Sequence, residues 1–218
     1  MPEPITIVGL GSGILGLLMH LARRYFDVAK EVVDVLLGAV LLLVCAPVIA
    51  ACGLLILLAD GRPVFFTQLR VGRWGKCFQM YKLRTMRRDA EAASGAVWAG
   101  RKDPRVIPLC RWMRRSHLDE LPQLLNVLRG QMAIVGPRPE RPAIHERLRD
   151  LYPDVDKRLE VRPGITGLAQ LRAGYDTDLE HFRTKLDNDL DYIARRRWGL
   201  DLGILVRTLG KFHDNAAH

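Results

Sequence analysis

The chain has 218 residues, enough for one domain with an appended segment, and a formal net charge of +9. Residues 35–59 carry no charged side chain, whereas residues 62–115 carry 14 Lys and Arg against three acids, a local net charge of +11. Such an excess of positive charge beside an apolar run is typical of a segment that binds anionic lipid head groups, phosphate-bearing substrates or nucleic acid. The scattered cysteines and the absence of a secretory signal pattern exclude a disulfide-stapled scaffold and favour a reducing setting.

The glycines near the N-terminus have the spacing of a dinucleotide-binding loop. Gly11, Gly13 and Gly16 follow the strand-like sequence ITIV, and Asp34 follows about 20 residues later. That fingerprint needs a second strand ending near the acid, but Asp34 opens a long apolar run instead. We therefore favour a Gly-rich helix over residues 5–22, on or in the membrane, and keep a Rossmann-type oxidoreductase as an alternative.

The uncharged run from Val35 to Ala59 has 25 residues, and a membrane-spanning helix needs about 20. Pro47 lies near its centre, where it removes a backbone donor and crowds the preceding turn. Basic residues flank both ends of the run, and positive flanks stay in the cytoplasm. These features favour a re-entrant helix that enters and leaves on one side, broken at Ala46 and Pro47. A spanning helix with a proline kink remains the alternative.

Residues 64–86 alternate between apolar and polar side chains and predict two strands joined by a turn at Gly72–Gly75. Residues 105–130 predict a helix, a break and a second helix ending at Gly130. With Asp119 as the N-cap, Pro122 falls in the first helical turn, where proline is tolerated. The Asp119 carboxylate then lies at the positive end of a helix, a natural place for phosphate. A plain capping role and a catalytic role both stay open.

Residues 132–142 predict a short apolar strand that runs into a proline-rich loop. Arg138 stands between Pro137 and Pro139, so its backbone has little freedom. A fixed guanidinium suits two-point phosphate binding, with a structural ion pair as the alternative. Arg162 precedes a Pro-Gly turn in the same manner. Residues 198–212 predict an amphipathic helix whose apolar side faces the core or the membrane surface.

Taken together, six segments resemble the bacterial sugar transferase family, the monotopic phosphoglycosyl transferases that start glycan assembly on a polyprenol phosphate. The resemblance covers about residues 27–212. The segments, in family order, are the proline-broken apolar helix before FFTQLRVG, then YKLRTM (81–86), SHLDELPQLLNVLRG (116–130), VGPRPERP (135–142), RPGITGLAQ (162–170) and LDLGILVRTL (200–209). One departure is Ala46 before Pro47, where the family commonly has serine.

The resemblance implies an α+β, helix-rich monotopic membrane protein. Its parts would be a re-entrant helix and a small cytoplasmic catalytic domain with a short β-hairpin and interfacial amphipathic helices. The implied division is an N-terminal segment at 1–26, the re-entrant helix at 27–60, the catalytic domain at 61–212 and a tail at 213–218. The implied location is the cytoplasmic face of the bacterial inner membrane.

The family's activity implies transfer of a sugar 1-phosphate from a UDP-sugar to undecaprenyl phosphate, with release of UMP. Asp119 matches the family's proposed nucleophile, and Glu120 its acidic neighbour, with Mg²⁺ held by this pair. A carboxylate is ionised at neutral pH, so it needs no separate base. The residues matching phosphate-binding positions of the family are Arg138 and, less directly, Lys82, Arg84, Arg114 and Arg162.

The partners implied are the two substrates and inner-membrane lipids, and a homodimer stays open. The +11 stretch also suggests a membrane-tethered nucleic-acid-binding module. Such modules interleave aromatic residues with basic ones, and residues 82–110 offer only Trp98. We therefore expect no nucleic-acid partner.

Overall fold

The computed structural model describes residues 8–88, 90, 103–172 and 182–215. Its first element, α1, is a helix of 53 residues, Val8–Asp60. The Gly-rich segment and the uncharged run are two separate predicted segments, but from Val8 onward they form one continuous helix. Because Gly11, Gly13 and Gly16 lie inside this helix, they do not form a turn between a strand and a helix. The dinucleotide-binding alternative is therefore not supported, and the predicted Gly-rich helix is present from Val8 onward.

Helix α1 continues through Ala46 and Pro47, both of which are exposed. The predicted break is thus a proline within one helix and not a gap between two helices. By length and composition, His20–Asp60 is able to cross a membrane. The helix nevertheless contacts the rest of the protein on both sides of Pro47. Leu41 packs against one core cluster and Ile49 against another.

The predicted hairpin is confirmed. Strand β1 (Phe65–Val71) pairs antiparallel with β2 (Cys77–Leu83), and Phe65 lies opposite Leu83. The turn contains Gly75 with φ +76°, a conformation that glycine adopts at little cost.

The region around the predicted catalytic pair consists of short helical turns. Helix α2 (Arg111–Arg115) is followed by a 3₁₀ helix (Leu118–Gln123) and by α3 (Leu124–Leu128). The prediction that Asp119 is the N-cap is wrong. His117, in a left-handed conformation with φ 56°, holds that position, so the turn begins earlier and Asp119 lies inside it.

A second sheet carries the proline-rich loop. Strand β3 (Ala133–Val135), which the sequence predicts, pairs in parallel with β4 (Gly164–Thr166), which it does not. The remaining elements are helices α4 (Pro142–Leu151), α5 (Leu168–Arg172), α6 (Phe182–Arg195) and α7 (Trp198–Asn215), with a 3₁₀ helix at Val155–Glu160. The predicted helix at 198–212 is thereby confirmed as α7.

Two hydrophobic clusters define how α1 joins the rest of the protein. The larger lies between β2, α3, β3 and α5–α7 and includes Met80, Val127, Ile134 and Tyr192. The second joins α1 directly to the hairpin and α2, through Cys52, Ile56, Leu83, Cys110 and Met113. The end of α1 is therefore part of a shared core.

Candidate functional site

Three of the predicted site residues meet in one cluster. Arg138 donates two hydrogen bonds to Glu120, from Nη1 to Oε2 at 2.9 Å and from Nη2 to Oε1 at 2.5 Å. Lys82 donates a third, from Nζ to Oε1 at 2.8 Å. The strand β2, the 3₁₀ helix Leu118–Gln123 and the loop after β3 each contribute one residue, so the cluster exists only in the folded chain.

The charges in this cluster shift one another's proton affinity. Burial alone would raise the pKa of Glu120, but Arg138 and Lys82 outweigh it and hold that pKa well below its usual range. Burial lowers the pKa of Lys82, and Glu120 opposes this shift while Arg138 adds to it. Glu120 is therefore an ionised carboxylate shared by two cations.

Asp119 lies next to this cluster in a different state. Its side chain is buried, with 6% of its surface exposed, and no ion pair links it to another residue in the part of the chain described. Burial, and then the nearby Glu120 carboxylate, raise its pKa, while Lys82, Arg114 and His117 act in the opposite direction. Neighbouring acids thus differ sharply: Glu120 is paired, and Asp119 is buried without such a partner.

The loop that carries Arg138 is held at its backbone. Arg158 donates to the carbonyl of Arg138 at 2.8 Å, and Arg70 donates to the carbonyl of Pro139 at 2.8 Å. Glu140 is buried and accepts a 2.7 Å hydrogen bond from Lys185. Burial opposes ionisation of Glu140, yet Lys185, Arg158 and Arg70 lower its pKa to about 2. These supports were not predicted from the sequence, because they are distant in the chain and match no motif.

Close backbone contact fixes the same loop from the other side. A side-chain carbon on Gly164 would lie 2.1 Å from the nitrogen of Gly136, and one on Gly167 would lie 2.3 Å from its oxygen. Only glycine permits this approach. The two motifs GPRP and RPGITG therefore form one packed unit, and β4 positions the phosphate-binding candidate Arg138 through β3.

Lys82 is positioned by a side chain that acts as a strand neighbour. The Asn126 Oδ1 accepts a hydrogen bond from the Tyr81 backbone N–H at 3.1 Å, and its Nδ2 donates to the Gln79 carbonyl at 2.7 Å. These bonds satisfy the edge of β2 just before Lys82 and tie it to α3. Asn126 is fully buried and was also missed from the sequence.

The other predicted cations lie elsewhere. Arg114 donates a long hydrogen bond to Thr85 at 3.5 Å and lies close enough to influence Asp119. Arg84 forms an ion pair with Asp60 and bonds the carbonyls of Gly61 and Pro63, at the end of α1. Arg162 pairs with Glu31 of α1 at 3.0 Å. The structure therefore brings Lys82 and Arg138 to Glu120, places Arg114 beside Asp119, and engages Arg84 and Arg162 with α1.

The acidic side chains at this site offer few ligands for a metal ion. Among the described residues no group of three or more His, Cys, Asp or Glu side chains is placed to hold a metal ion. Mg²⁺ is commonly bound through one or two carboxylates together with substrate phosphates. Both oxygens of Glu120 already accept hydrogen bonds from cations, whereas Asp119 has no ion-pair partner in the described chain. Asp119 thus fits such an ion better than Glu120.

The sequence matches a family model described as bacterial sugar transferase over residues 25–215. This match includes every residue of the cluster and of its supports.

Three relatives illustrate the match. A putative undecaprenyl-phosphate N-acetylgalactosaminyl 1-phosphate transferase of Bacillus subtilis is 43% identical over 71% of this chain and 82% of its own length. A UDP-glucose:undecaprenyl-phosphate glucose-1-phosphate transferase of Caulobacter vibrioides is 42% identical over 87% of this chain and 71% of its own length. An exopolysaccharide production protein of Rhizobium leguminosarum bv. phaseoli is 38% identical over 84% of this chain and 94% of its own length.

Proposed function

The chain belongs to the bacterial sugar transferase family, and on this premise we propose that it transfers a sugar 1-phosphate from a UDP-sugar to undecaprenyl phosphate. The single observation that carries the proposal is the contrast within one turn of helix. Asp119 is buried without an ion-pair partner, while its neighbour Glu120 holds Arg138 and Lys82 beside it. The activities named for relatives that match most of the chain support the same chemistry.

The reaction has two half-reactions. An Asp119 oxygen attacks the phosphorus that bears the sugar, the bond from that phosphorus to the bridging oxygen breaks, and UMP leaves with that oxygen. An oxygen of undecaprenyl phosphate then attacks the same phosphorus and releases the Asp119 carboxylate. The product is the lipid-linked sugar diphosphate, which starts a surface glycan such as an exopolysaccharide.

The chain's own residues supply the electrostatics. A buried carboxylate loses hydration and is a stronger nucleophile when ionised, but it repels a diphosphate. The guanidinium of Arg138 and the ammonium of Lys82 can attract the phosphate oxygens to the side of Asp119. Mg²⁺, when bound at Asp119 and the diphosphate, would neutralise further charge.

A re-entrant arrangement of α1 is part of the proposal. It is supported by the short distance between the points where α1 contacts the rest of the protein. Leu41 and Ile49 pack against core clusters on either side of Pro47, so only seven residues lie between them. Seven helical residues extend about 10 Å, whereas the hydrocarbon core is about 30 Å thick. Both halves of α1 then belong to the cytoplasmic side.

Two measurements test these proposals. Purified protein, Mg²⁺ and a panel of UDP-sugars are incubated with undecaprenyl phosphate, and UMP is quantified. We expect UMP from at least one sugar donor, and no release from any donor would contradict the function. Single-cysteine labelling with an impermeant reagent in intact cells tests topology on both sides of the uncharged run, at the exposed positions Arg24 and Arg62. Labelling of one site alone would overturn the re-entrant arrangement.

A further inference from the structure

Strand β3 runs directly into the loop that carries Arg138. Among the described residues this strand has one strand neighbour, β4. The Val135 carbonyl accepts a hydrogen bond from the Tyr192 hydroxyl of α6 at 3.1 Å, and both residues are buried. A buried carbonyl needs such a partner. Because Pro137 restricts the backbone between Val135 and Arg138, a displacement of Val135 also displaces the Arg138 guanidinium.

The Tyr192 hydroxyl has a second acceptor. Its oxygen lies 3.0 Å from Oδ1 of Asp201, on α7. Burial, and then the charge of Asp201, raise the pKa of Tyr192, so the hydroxyl keeps its proton at neutral pH. A hydroxyl has only one proton to donate. The Val135 carbonyl and the Asp201 carboxylate therefore compete for that proton, and a carboxylate with its full charge is the stronger acceptor.

A lysine of α1 weakens the competing acceptor. Lys30 Nζ lies 2.7 Å from Oδ2 of Asp201 and 3.2 Å from Asp34, and all three side chains are buried. At such a distance an ammonium offsets much of the negative charge of a buried carboxylate. Lys30 therefore favours donation from Tyr192 to Val135. Without Lys30, Asp201 would draw the hydroxyl away from β3.

Packing alone does not account for the Tyr192 hydroxyl. The ring belongs to the larger hydrophobic cluster, and phenylalanine would fill the same space. A buried hydroxyl costs free energy unless it is hydrogen-bonded, so the bonds that it makes are needed to keep it in the core. A cleft of about 30 Å³ is lined by Lys30, Asp34, Val135 and Tyr192. It has room for about two waters, so the hydrogen bonds of these residues can rearrange locally.

We infer that Tyr192 is a positioning residue for Arg138 and that Lys30 of α1 controls it through Asp201. The contacts form one chain from α1 to the strand before Arg138. Its distances are 2.7 Å from Lys30 to Asp201, 3.0 Å from Asp201 to Tyr192 and 3.1 Å from Tyr192 to Val135. The inference rests on the proposed function for the phosphate that Arg138 binds, whereas the contact chain is independent of the reaction.

Amide hydrogen exchange of the full-length protein in lipid nanodiscs tests the contact chain without the reaction. The variants are Tyr192→Phe, which removes only the hydroxyl, and Lys30→Gln. Asp27→Asn is the matched control, because it removes a different ion pair of α1, with Arg196 at 2.8 Å. We expect faster exchange in β3 for the first two variants and no change in the control. Helix α4, which packs in a separate hydrophobic cluster, should exchange at the wild-type rate throughout.

Other exchange patterns would overturn the inference. Unchanged exchange of β3 in Tyr192→Phe would show that the hydroxyl does not hold the strand. Equal acceleration in β3 and α4 would show a general loss of packing, and equal acceleration by Asp27→Asn and Lys30→Gln would show that any ion pair of α1 has this effect. Adding Asp201→Asn to Lys30→Gln should restore the protection of β3, because a neutral amide oxygen is a weaker acceptor than a carboxylate. Fast exchange in that double variant would remove Lys30 from the chain.

A double-mutant cycle tests the link to Arg138. Tyr192→Phe should lower kcat/KM for the UDP-sugar by about two- to tenfold, the range of one neutral hydrogen bond. In protein that already carries Arg138→Lys it should cause no further loss, because both changes then act on the same group. Equal losses in both backgrounds would show that Tyr192 does not act through Arg138. If the wild type releases no UMP from any donor, the proposed function fails, and the exchange of β3 still confirms or overturns the contact chain.

Discussion

Glu120 and Arg138 form a two-point ion pair, in which Nη1 donates to Oε2 at 2.9 Å and Nη2 donates to Oε1 at 2.5 Å. The geometry is the one in which a guanidinium also binds phosphate. An incoming diphosphate that uses Arg138 must therefore share it with Glu120 or replace Glu120 on it. On the proposed function, Glu120 would hold the Arg138 guanidinium in a phosphate-binding orientation before substrate arrives.

Replacing Arg138 by lysine should impair catalysis while the protein stays folded. Lysine keeps the charge but loses the planar fork. The loss of one charge-assisted hydrogen bond is about 1.5–3 kcal/mol, which is roughly a 10- to 150-fold decrease in kcat/KM if it is felt in the transition state. Steady-state UMP release measures the effect. Wild-type kinetics would remove Arg138 from the site.

Replacing Glu120 by glutamine should destabilise the protein, because it leaves Arg138 and Lys82 without a counter-charge. Breaking a buried pair of this kind costs up to about 3–5 kcal/mol. The pKa of Glu120 is held well below its usual range in the folded protein. Its contribution to the free energy of unfolding is therefore present above the pKa of Glu120 in the unfolded state, and it is lost as pH falls through the pKa in the folded state. Unfolding followed at neutral pH and in acid should show the variant's deficit shrinking in acid. A deficit that is constant with pH would argue against the ion pair as its source.

Replacing Asp119 by asparagine should abolish turnover without unfolding the protein. Incubation of wild type with Mg²⁺ and the UDP-sugar, but without lipid, should give a burst of about one UMP per enzyme and an adduct at Asp119 by intact mass. This stoichiometry is the one expected of a covalent intermediate. The variant should give neither. Normal turnover in the variant, or an adduct on Glu120, would show that another group is the nucleophile.

The stability of the Asp119→Asn variant should differ from that of the wild type in a way that depends on pH. The pKa of Asp119 is raised, first by burial and then by Glu120. Its contribution to the free energy of unfolding is therefore complete below the pKa of Asp119 in the unfolded state, and it is lost as pH rises through the pKa in the folded state. Asparagine has no charge to bury. We therefore expect the asparagine variant to be at least as stable as wild type at neutral pH, as measured by thermal unfolding.

Replacing Gly164 by alanine should disrupt the site through the backbone. Its new carbon would lie 2.1 Å from the Gly136 nitrogen, so the two loops must separate. Gly203 in α7 is the matched control, because a carbon there meets nothing within 4 Å. Alanine at Gly203 should be neutral or stabilise the helix by about 1 kcal/mol. Equal melting temperatures for the two variants would refute the close-packing argument.

Replacing Arg84 by lysine distinguishes a structural role from phosphate binding. The buried guanidinium bonds oxygens of Asp60, Gly61 and Pro63, and losing one such bond costs about 1.5–3 kcal/mol. We expect a lower melting temperature for Arg84→Lys and little change for the exposed Arg87→Lys. A stable Arg84 variant with a raised KM for the UDP-sugar would instead favour phosphate binding.

The sequence predicts elements whose signals are local. The hairpin follows from alternation and two glycines, and the strand before Arg138 from a short apolar run. By contrast, β4 has three residues and gains its identity from pairing with β3, about 30 positions away. The N-cap prediction failed because His117 adopts a left-handed backbone that no local pattern required. The partners of Glu120 come from 38 and 18 positions away, so only the folded chain reveals that this acid is paired and Asp119 is not.

The shared core between α1 and the hairpin has a practical consequence for protein production. Cys52 and Ile56 of α1 pack with Leu83 and Met113, and Gly38 of α1 lies against Val127 of α3. A truncation that starts after Asp60 would expose these surfaces and remove the ion-pair partners of Arg84, Arg162 and Arg196, which are Asp60, Glu31 and Asp27. The part of the chain after Asp60 is therefore not an independent unit with a detachable tether. On the proposed membrane location of α1, biochemical work will need detergent or lipid nanodiscs from the first extraction step.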